Sequence, residues 1–583
     1  MTPDTHMRLS LFALLLVAGI VAAAPPNVVL ILADDLGQRD LGCYGSTYHR
    51  TPNLDAFAKA NVKLTDSYSA SPVCSPTRAA LLTGKHPARL HLTDWLDGRP
   101  DQPSQKLNRP VFEHQLALKE ETLAEVFKAN GYATGLFGKW HLGGKGFGPK
   151  DQGFDLYKGG DSKEIPNDEN NTDRLTDEAI KFITANKAKP FFAYVPYNDP
   201  HIPLKATPDV IAKYKAGGAP GMQNNPTYAA MLENIDANFA RILKTLDDLK
   251  LADNTIVIFT SDNGGLSVLE GPNTPATSNA PYREAKGFLY EGGVRVPFLI
   301  RGPGVQSRRE ATLRSDVPII STDVMPTILG LCGLKCDIKF DGVSRAANLG
   351  STKVDWDPPA FHWHYPHYSN QGGHPGGAIR DGNWKYIEFF DTGRQELYDL
   401  AKDVGESRNL VAEKPDVVKA LAKKLADWRT ETKAQMPTPN PDYTPNPQAK
   451  DGTITLLAKW AEVTGVQLRY EPLPHKNTLG FWSMKDDFAT WDFTVTTPGK
   501  FDATLSQGCG KGSGGAEVEF TMGTQTLKHT VKDTGGWQKF EDVAIGQLTI
   551  DKAGRHTLKV AAKTKPGVAV MDLPKIVLTP VKP

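Results

Sequence analysis

A chain of 583 residues with 67 Lys and Arg against 66 Asp and Glu carries a formal charge of +1, which excludes a global electrostatic hold on nucleic acid. Any anionic ligand must therefore be held by a local site, while the length allows about two to four domains around large cores. Five cysteines in so long a chain exclude a disulfide scaffold; Cys332 and Cys336 alone are close enough in sequence to suggest a local bridge.

Arg8 precedes the apolar run Leu9 to Ala22, followed by Ala22-Ala23-Ala24-Pro25-Pro26, which predicts a signal peptide over residues 1–23 cut near Ala23. Export to a periplasm, a cell surface or the medium is expected, with a retained signal anchor as the other reading of the same run. No later stretch is apolar and long enough to span a bilayer, so no membrane contact is expected after cleavage.

Asn27 to Ala33, Phe191 to Val195 and Thr255 to Thr260 are short apolar, β-branched runs, the pattern of strands buried on both faces. Amphipathic stretches lie between them at Glu121 to Asn130, Asp173 to Ala185 and Tyr228 to Leu249. The alternation predicts an α/β domain on a mostly parallel sheet over residues 24–342, with ligands gathered beyond the carboxyl ends of its strands. Asp34-Asp35 and Asp262-Asn263 fall at such ends. Three carboxylates and an amide are hard oxygen ligands suited to Ca²⁺ or Mg²⁺, although either pair taken alone is more often a turn.

Cys74 opens a predicted helix in Ser71-Pro72-Val73-Cys74-Ser75-Pro76-Thr77-Arg78, with Ala79 to Leu82 as its apolar anchor. Pro76 suits the first turn, where a missing N–H costs little, and the helix start offers free N–H groups to an anion. Arg78, one turn on, has the planar fork that matches a tetrahedral oxyanion. The same residues also read as a structural cysteine beside a capping turn. Gly138-Lys139-Trp140-His141-Leu142-Gly143, His201 in Asp199-Pro200-His201-Ile202-Pro203, and Lys286 add two imidazoles and two compact cations.

A second unit is predicted over residues 343–435, with a hairpin turning at Asp381-Gly382 and a helix from Pro415 to Thr430. Residues 436–451, rich in proline, read as a stiff linker, and 452–583 as a β-sandwich of short alternating strands, a candidate carbohydrate-binding module. Between them, His364, His367 and His374 sit in an aromatic Gly/Pro loop, where they either contact substrate or shape a packed loop.

Cys74-x-Pro76-x-Arg78 resembles the maturation signature of type I, formylglycine-dependent sulfatases, of the arylsulfatase and N-acetylgalactosamine-sulfatase kind. The likeness runs in order from Asn27 to about Asn409 and implies an alkaline-phosphatase-like mixed sheet flanked by helices, with a small α+β C-terminal subdomain. It implies that a formylglycine-generating enzyme oxidises Cys74 to formylglycine, whose hydrate attacks sulfur with one hydroxyl and releases sulfate through the other. Asp34, Asp35, Cys74, Asp262 and Asn263 would hold Ca²⁺, preferred over Mg²⁺ only by this resemblance. Arg78 and Lys139 would hold the nucleophile and the sulfate, His141 would take the diol proton, and His201 with Lys286 would serve the leaving oxygen. The last stretch, including Gly480-Phe481-Trp482 and Val570 to Leu573, resembles galactose-binding-like sandwiches appended to secreted bacterial sulfatases and glycosidases. The expected function is hydrolysis of a sulfate ester on a sulfated sugar. A phosphate or phosphonate ester hydrolase of the same superfamily is the alternative within enzymes, separated by relative release of sulfate and phosphate. An inactive sulfated-glycan binder is the other, and the full set of site residues argues against it.

Overall fold

The computed structural model describes residues 24–159, 167–215, 222–306, 313–314, 317–351 and 358–581, so the expected signal peptide lies outside the described residues. Eight strands form the central sheet: β1 (Asn27–Ala33), β2 (Val62–Leu64), β3 (Ala133–Phe137), β4 (Leu156–Lys158), β5 (Phe191–Pro196), β6 (Thr255–Ser261), β7 (Phe298–Arg301) and β8 (Leu313–Arg314). Their order across the sheet is β8-β2-β7-β6-β1-β5-β3-β4. β7 runs antiparallel to both neighbours and every other pair is parallel, so the sheet is mixed.

Every residue of β1, β5 and β6 is buried, which is why these strands read as unbroken apolar runs. Alternate residues of β1 feed two separate cores. Val29, Ile31 and Ala33 meet Phe182, Ile235 and Phe239 from the helices Asn171–Ala185 and Pro226–Asp248. Val28, Leu30 and Leu32 meet Leu81, Phe127 and Ile328 from the helices Cys74–Thr83, Leu123–Ala129 and Val324–Leu331. This layering sends the carboxyl ends of β1, β3, β5 and β6 to one edge, from which Asp34, Lys139, His201 and Asp262 emerge.

The next unit is a four-stranded antiparallel sheet, Phe361–Tyr365, Gly376–Asp381, Trp384–Phe389 and Gln395–Asp399, covered by the helix Pro415–Thr432. Leu421 and Leu425 of that helix pack on Ile379, Tyr386 and Leu397. Asp381 pairs with Trp384, so the hairpin loop is Gly382-Asn383, one residue later than the sequence suggests, and Gly382 takes φ +57°. The proline-rich stretch is laid against its neighbours: Thr438–Pro439 pairs with Leu107–Asn108, and the Gln448 N–H donates to the Thr494 carbonyl at 2.9 Å.

The C-terminal unit is two antiparallel sheets of six and five strands around one core. Trp482 and Trp491 are fully buried there, each indole N–H donating to a backbone carbonyl, of Asp487 and Leu457 respectively. They are core residues and offer no sugar platform.

All five cysteines are free thiols, which corrects the bridge expected between Cys332 and Cys336. Both pack separately against the core beneath the sheet, and burial pushes the Cys332 thiol up to about 12. Close spacing past a helix end does not supply bridge geometry. No helix among the described residues is long and apolar enough to cross a membrane.

Candidate active site

Cys74 is the first residue of a helix whose ten residues, Cys74–Thr83, are all buried. Val73, extended at the N-cap, makes no side-chain cap, so the first-turn N–H groups stay available to an anion. Cys74 Sγ lies 3.5 Å from Asp34 Oδ1 and 4.0 Å from Asp35 Oδ1.

Cations and carboxylates interleave around it. Lys139 Nζ is 2.5 Å from Asp34 Oδ2, and Lys286 Nζ is 2.8 Å from Asp35 Oδ2. Burial raises the Asp34 carboxyl, but Lys139, His201, Arg78 and Lys286 together outweigh it and hold it well below the usual carboxylate range. Burial and then the charge of Asp34 push Asp262 up to about 7, against Arg78 and Lys139. Three carboxylates packed this closely repel one another, which a bound cation relieves. Asp34, Asp35, Cys74 and His201 present ligand atoms all within 4.8 Å of one another. Asn263 donates from Nδ2 to Asp35 Oδ1 at 2.7 Å, and its own Oδ1 is buried without a partner. An orphaned carbonyl beside converging carboxylates is the donor set of a hard cation.

The sequence-predicted residues thus converge, but on two levels. Asp34, Cys74, Lys139, His141, His201 and Lys286 line a cavity of about 860 Å³. Arg78 does not: its side chain is fully buried under the floor, with Nε 2.9 Å and Nη2 2.7 Å from Asp262 Oδ2 and Nη1 3.0 Å from the Lys139 carbonyl. The guanidinium expected to reach sulfate instead fixes Asp262 and the Lys139 backbone. Asp262 Oδ1 also accepts from the Asp35 N–H at 3.1 Å, tying the ends of β1 and β6 together.

Gly138 lets the chain turn sharply off β3 into Lys139: it takes φ +136°, and a Cβ there would lie 1.8 Å from the Pro196 carbonyl oxygen. His141 follows at φ +57°, with Nε2 2.7 Å from the Leu96 carbonyl. That contact places the proton on Nε2 and leaves Nδ1, buried and unpartnered, as the acceptor. Burial and then Lys139 lower the imidazole to about 3, so it stays neutral. His201 donates from Nδ1 to the Ile202 carbonyl at 2.5 Å and takes Lys286 Nζ at 2.9 Å on Nε2.

Of the two readings of His364, His367 and His374, the packing favours the one in which they shape the loop. His364 and His367 are 3% and 2% exposed, bound through Nε2 to the Gln435 carbonyl and Thr93 Oγ1, and His374 is paired with Asp391 at 2.6 Å. None lines the cavity; Asn370 and Gln371 of the same loop do. Sequence reasoning also missed Trp95, Lys145, Lys150 and Glu270 on the cavity wall. They come from loops without a spacing rule, and only an aromatic or charged residue in a Gly/Pro-rich stretch would have flagged them.

Comparison with known proteins places this constellation. The sulfatase family profile matches residues 26–334, the C-terminal profile of N-sulphoglucosamine sulphohydrolase matches 284–431, and a domain of unknown function, DUF5077, matches 469–582. A sulfatase of Formosa agariphila is 30% identical over 498 residues, covering 69% of this chain and 88% of its own. Human arylsulfatase A is 31% identical, covering 70% and 88%. The crystal structure of Ps i-CgsB in complex with k-i-k-neocarrahexaose superposes with TM-score 0.59 at 26% identity, covering 69% of this chain and 92% of that one. The chain belongs to the sulfatase family: it is a sulfuric ester hydrolase on an alkaline-phosphatase-like α/β fold.

Proposed function

We propose that this protein is an exported, calcium-dependent sulfatase that removes a sulfate ester from a sulfated sugar through a formylglycine made from Cys74. The observation that carries the reading is the position of Cys74: the first residue of a buried helix, at the bottom of a cavity walled by Lys139, His141, His201 and Lys286. The glycan substrate is supported by similarity to an N-acetylgalactosamine-6-O-sulfatase of Bacteroides thetaiotaomicron and an ulvan-active sulfatase of Formosa agariphila. Export rests on the apolar leader at residues 1–23.

Asp34, Asp35, Asp262, Asn263 and the oxidised Cys74 would hold Ca²⁺, which supplies positive charge to the nucleophile and to the sulfate. The hydrated aldehyde supplies a nucleophilic hydroxyl, and a second hydroxyl through which sulfate is expelled. The chain's own side chains do the rest. Lys139 and Lys286 both line the cavity and offset the sulfate's negative charge there. Arg78 holds Asp262 and the Lys139 carbonyl in place from below. His141, neutral with Nδ1 free, accepts a proton from the residue-74 side chain. The Lys286 ammonium bonded to His201 Nε2 makes that pair the proton source for the departing alcohol oxygen.

The test is inorganic sulfate release from position-defined sulfated galactose, N-acetylgalactosamine, glucosamine and uronate sugars, with matched phosphate esters alongside. Protein co-expressed with a formylglycine-generating enzyme is expected to release sulfate from one member of the panel and little phosphate. Preferential phosphate release would overturn the reading. His201→Ala is expected to slow sugar-sulfate hydrolysis by about 10²–10⁴-fold, and much less for an aryl sulfate whose acidic phenol leaves without a proton. Equal losses on both substrates would remove the proton-donor role. EGTA is expected to abolish turnover, and added Ca²⁺ to restore it.

A further inference from the structure

The sandwich meets the catalytic unit across a polar seam that the sulfatase reaction does not use. A cavity of about 20 Å³ lies in this seam, lined by Arg283 and Arg394 from the catalytic side and by Arg469 from the sandwich. Three buried N–H groups around it make no well-directed hydrogen bond among the described residues: Arg283 Nε, Arg394 Nε and Arg469 Nη1. Each is a charged donor, and leaving such donors unmatched in a desolvated place is costly.

The local charge does not close either. Glu396 faces both catalytic-side arginines, with Oε1 3.3 Å from Arg394 Nε and Oε2 3.9 Å from Arg283 Nη1, and it already accepts from the Tyr290 and Tyr398 hydroxyls. Glu284 Oε1 is 3.7 Å from Arg283 Nε. Burial pushes the Glu284 carboxyl up to about 7, against the pull of Arg283 and Arg469, so at neutral pH it brings less than a full negative charge. Glu471 is taken by Lys476 at 2.5 Å. Arg469 has no ion pair among the described residues and stacks on Phe481, with its guanidinium carbon 3.7 Å from the ring centroid. Burial and then the like charge of Arg283 disfavour its cationic form. Three guanidiniums therefore share two carboxylates, Glu284 and Glu396, and two of the guanidiniums, Arg283 and Arg469, oppose each other across the domain boundary.

A water molecule would answer the hydrogen bonds but not the excess charge; an anion answers both. The cavity is the size of one water-sized sphere, which admits a monatomic ion and excludes a tetrahedral oxyanion such as the reaction product. We propose that a single monatomic anion, chloride in ordinary salt, binds in this seam between Arg283, Arg394 and Arg469 and bridges the C-terminal sandwich to the catalytic unit. The only backbone hydrogen bond found beside it across the seam runs from the Asn409 N–H to the Val466 carbonyl at 3.2 Å, among the described residues. The bound anion thus adds charge-assisted contacts where the covalent and backbone ties are sparse.

Bromide is the direct probe. Crystals of the full-length protein grown in gluconate salts and soaked in sodium bromide are expected to show an anomalous peak touching all three guanidiniums. A water without anomalous signal, an empty cavity or a tetrahedral oxyanion there would overturn the proposal. In solution, titrating chloride into gluconate at fixed ionic strength is expected to raise Tm along a saturating curve by about 2 °C or more. Arg469→Gln, which lies outside the catalytic cavity, is expected to abolish that saturating rise and leave the far-ultraviolet spectrum unchanged. A linear response in the wild type, or an identical curve in the variant, would count against the site. Should the variant not fold, the bromide peak and the wild-type titration still decide.

Discussion

Cys74→Ala is expected to yield a folded protein whose sulfate release is lower by roughly 10⁴-fold or more. The fold tolerates the change because alanine is the better helix former and because Cys74 lines the cavity, its Sγ near Asp34 and Asp35. No closed void is left, so Tm is expected to move by only a few degrees. The catalytic loss is near total because alanine removes the side chain that becomes the nucleophile. The unmodified thiol cannot stand in: burial pushes it far above its usual range, more than Lys139 and Lys286 draw it back, so it carries no thiolate at neutral pH. Protein made without the generating enzyme should therefore be as inactive as Cys74→Ala, with an unaltered thiol by peptide mass. Cys74 is 2% exposed, so adding the generating enzyme to folded protein should not rescue it, whereas supplying it during synthesis should. Substantial turnover by Cys74→Ala would sink the reading of the whole site.

What could be read from the sequence was whatever is local. The strands β1, β5 and β6 announce themselves as unbroken apolar runs because both faces are covered, and Asp34, Lys139 and His201 lie in the loops that follow strand ends. The segment Phe298–Arg301 gives no sign that it runs antiparallel between two neighbours, since direction is fixed by pairing with residues far along the chain. Arg78 was legible as a site residue but not as one lying under the floor, because its depth depends on Asp262, brought from the end of β6. His364 and His367 illustrate the opposite error: a histidine-rich aromatic loop looks like a ligand surface until burial is known. Trp95 and Glu270 reach the cavity through tertiary placement alone.

The network around Lys385 was invisible for the same reason, and it gives the largest expected stability effect. Lys385, in the four-stranded antiparallel sheet, joins that sheet to the segment that follows Lys286: its Nζ lies 2.9 Å from Glu291 Oε1 and 3.0 Å from Glu406 Oε1, all three side chains fully buried. Tyr68 and Arg295 donate to Glu291 Oε2 at 2.8 and 3.1 Å, and Glu406 Oε2 accepts from the Glu291 N–H at 2.7 Å. Lys385→Met keeps the volume but leaves Glu406 without a cation and Glu291 with Arg295 alone, and is expected to cost about 3–5 kcal/mol. The pH dependence follows from the carboxylates. Burial alone would raise Glu291, but Lys385, Arg295 and Arg380 overcome it and draw it to about 2. A carboxyl lowered on folding stabilises above its unfolded value and loses that contribution as pH falls toward its folded one. Wild-type stability from Glu291 should therefore fade below roughly pH 4.5. Glu406, pushed up to about 7 by burial against Lys385, acts in the opposite sense, so its ionisation costs stability as pH rises toward neutrality. Without Lys385 both acids move up, and protonation relieves the variant more than the wild type. The gap between the two proteins, measured by urea unfolding, is expected to narrow as pH is lowered from 7 to 4. Lys385→Met with Glu406→Gln should recover part of the loss at pH 7, because one of the stranded charges is gone. A gap unchanged across that range, with no recovery in the double variant, would show that Lys385 contributes packing against Trp363 alone and no charge compensation.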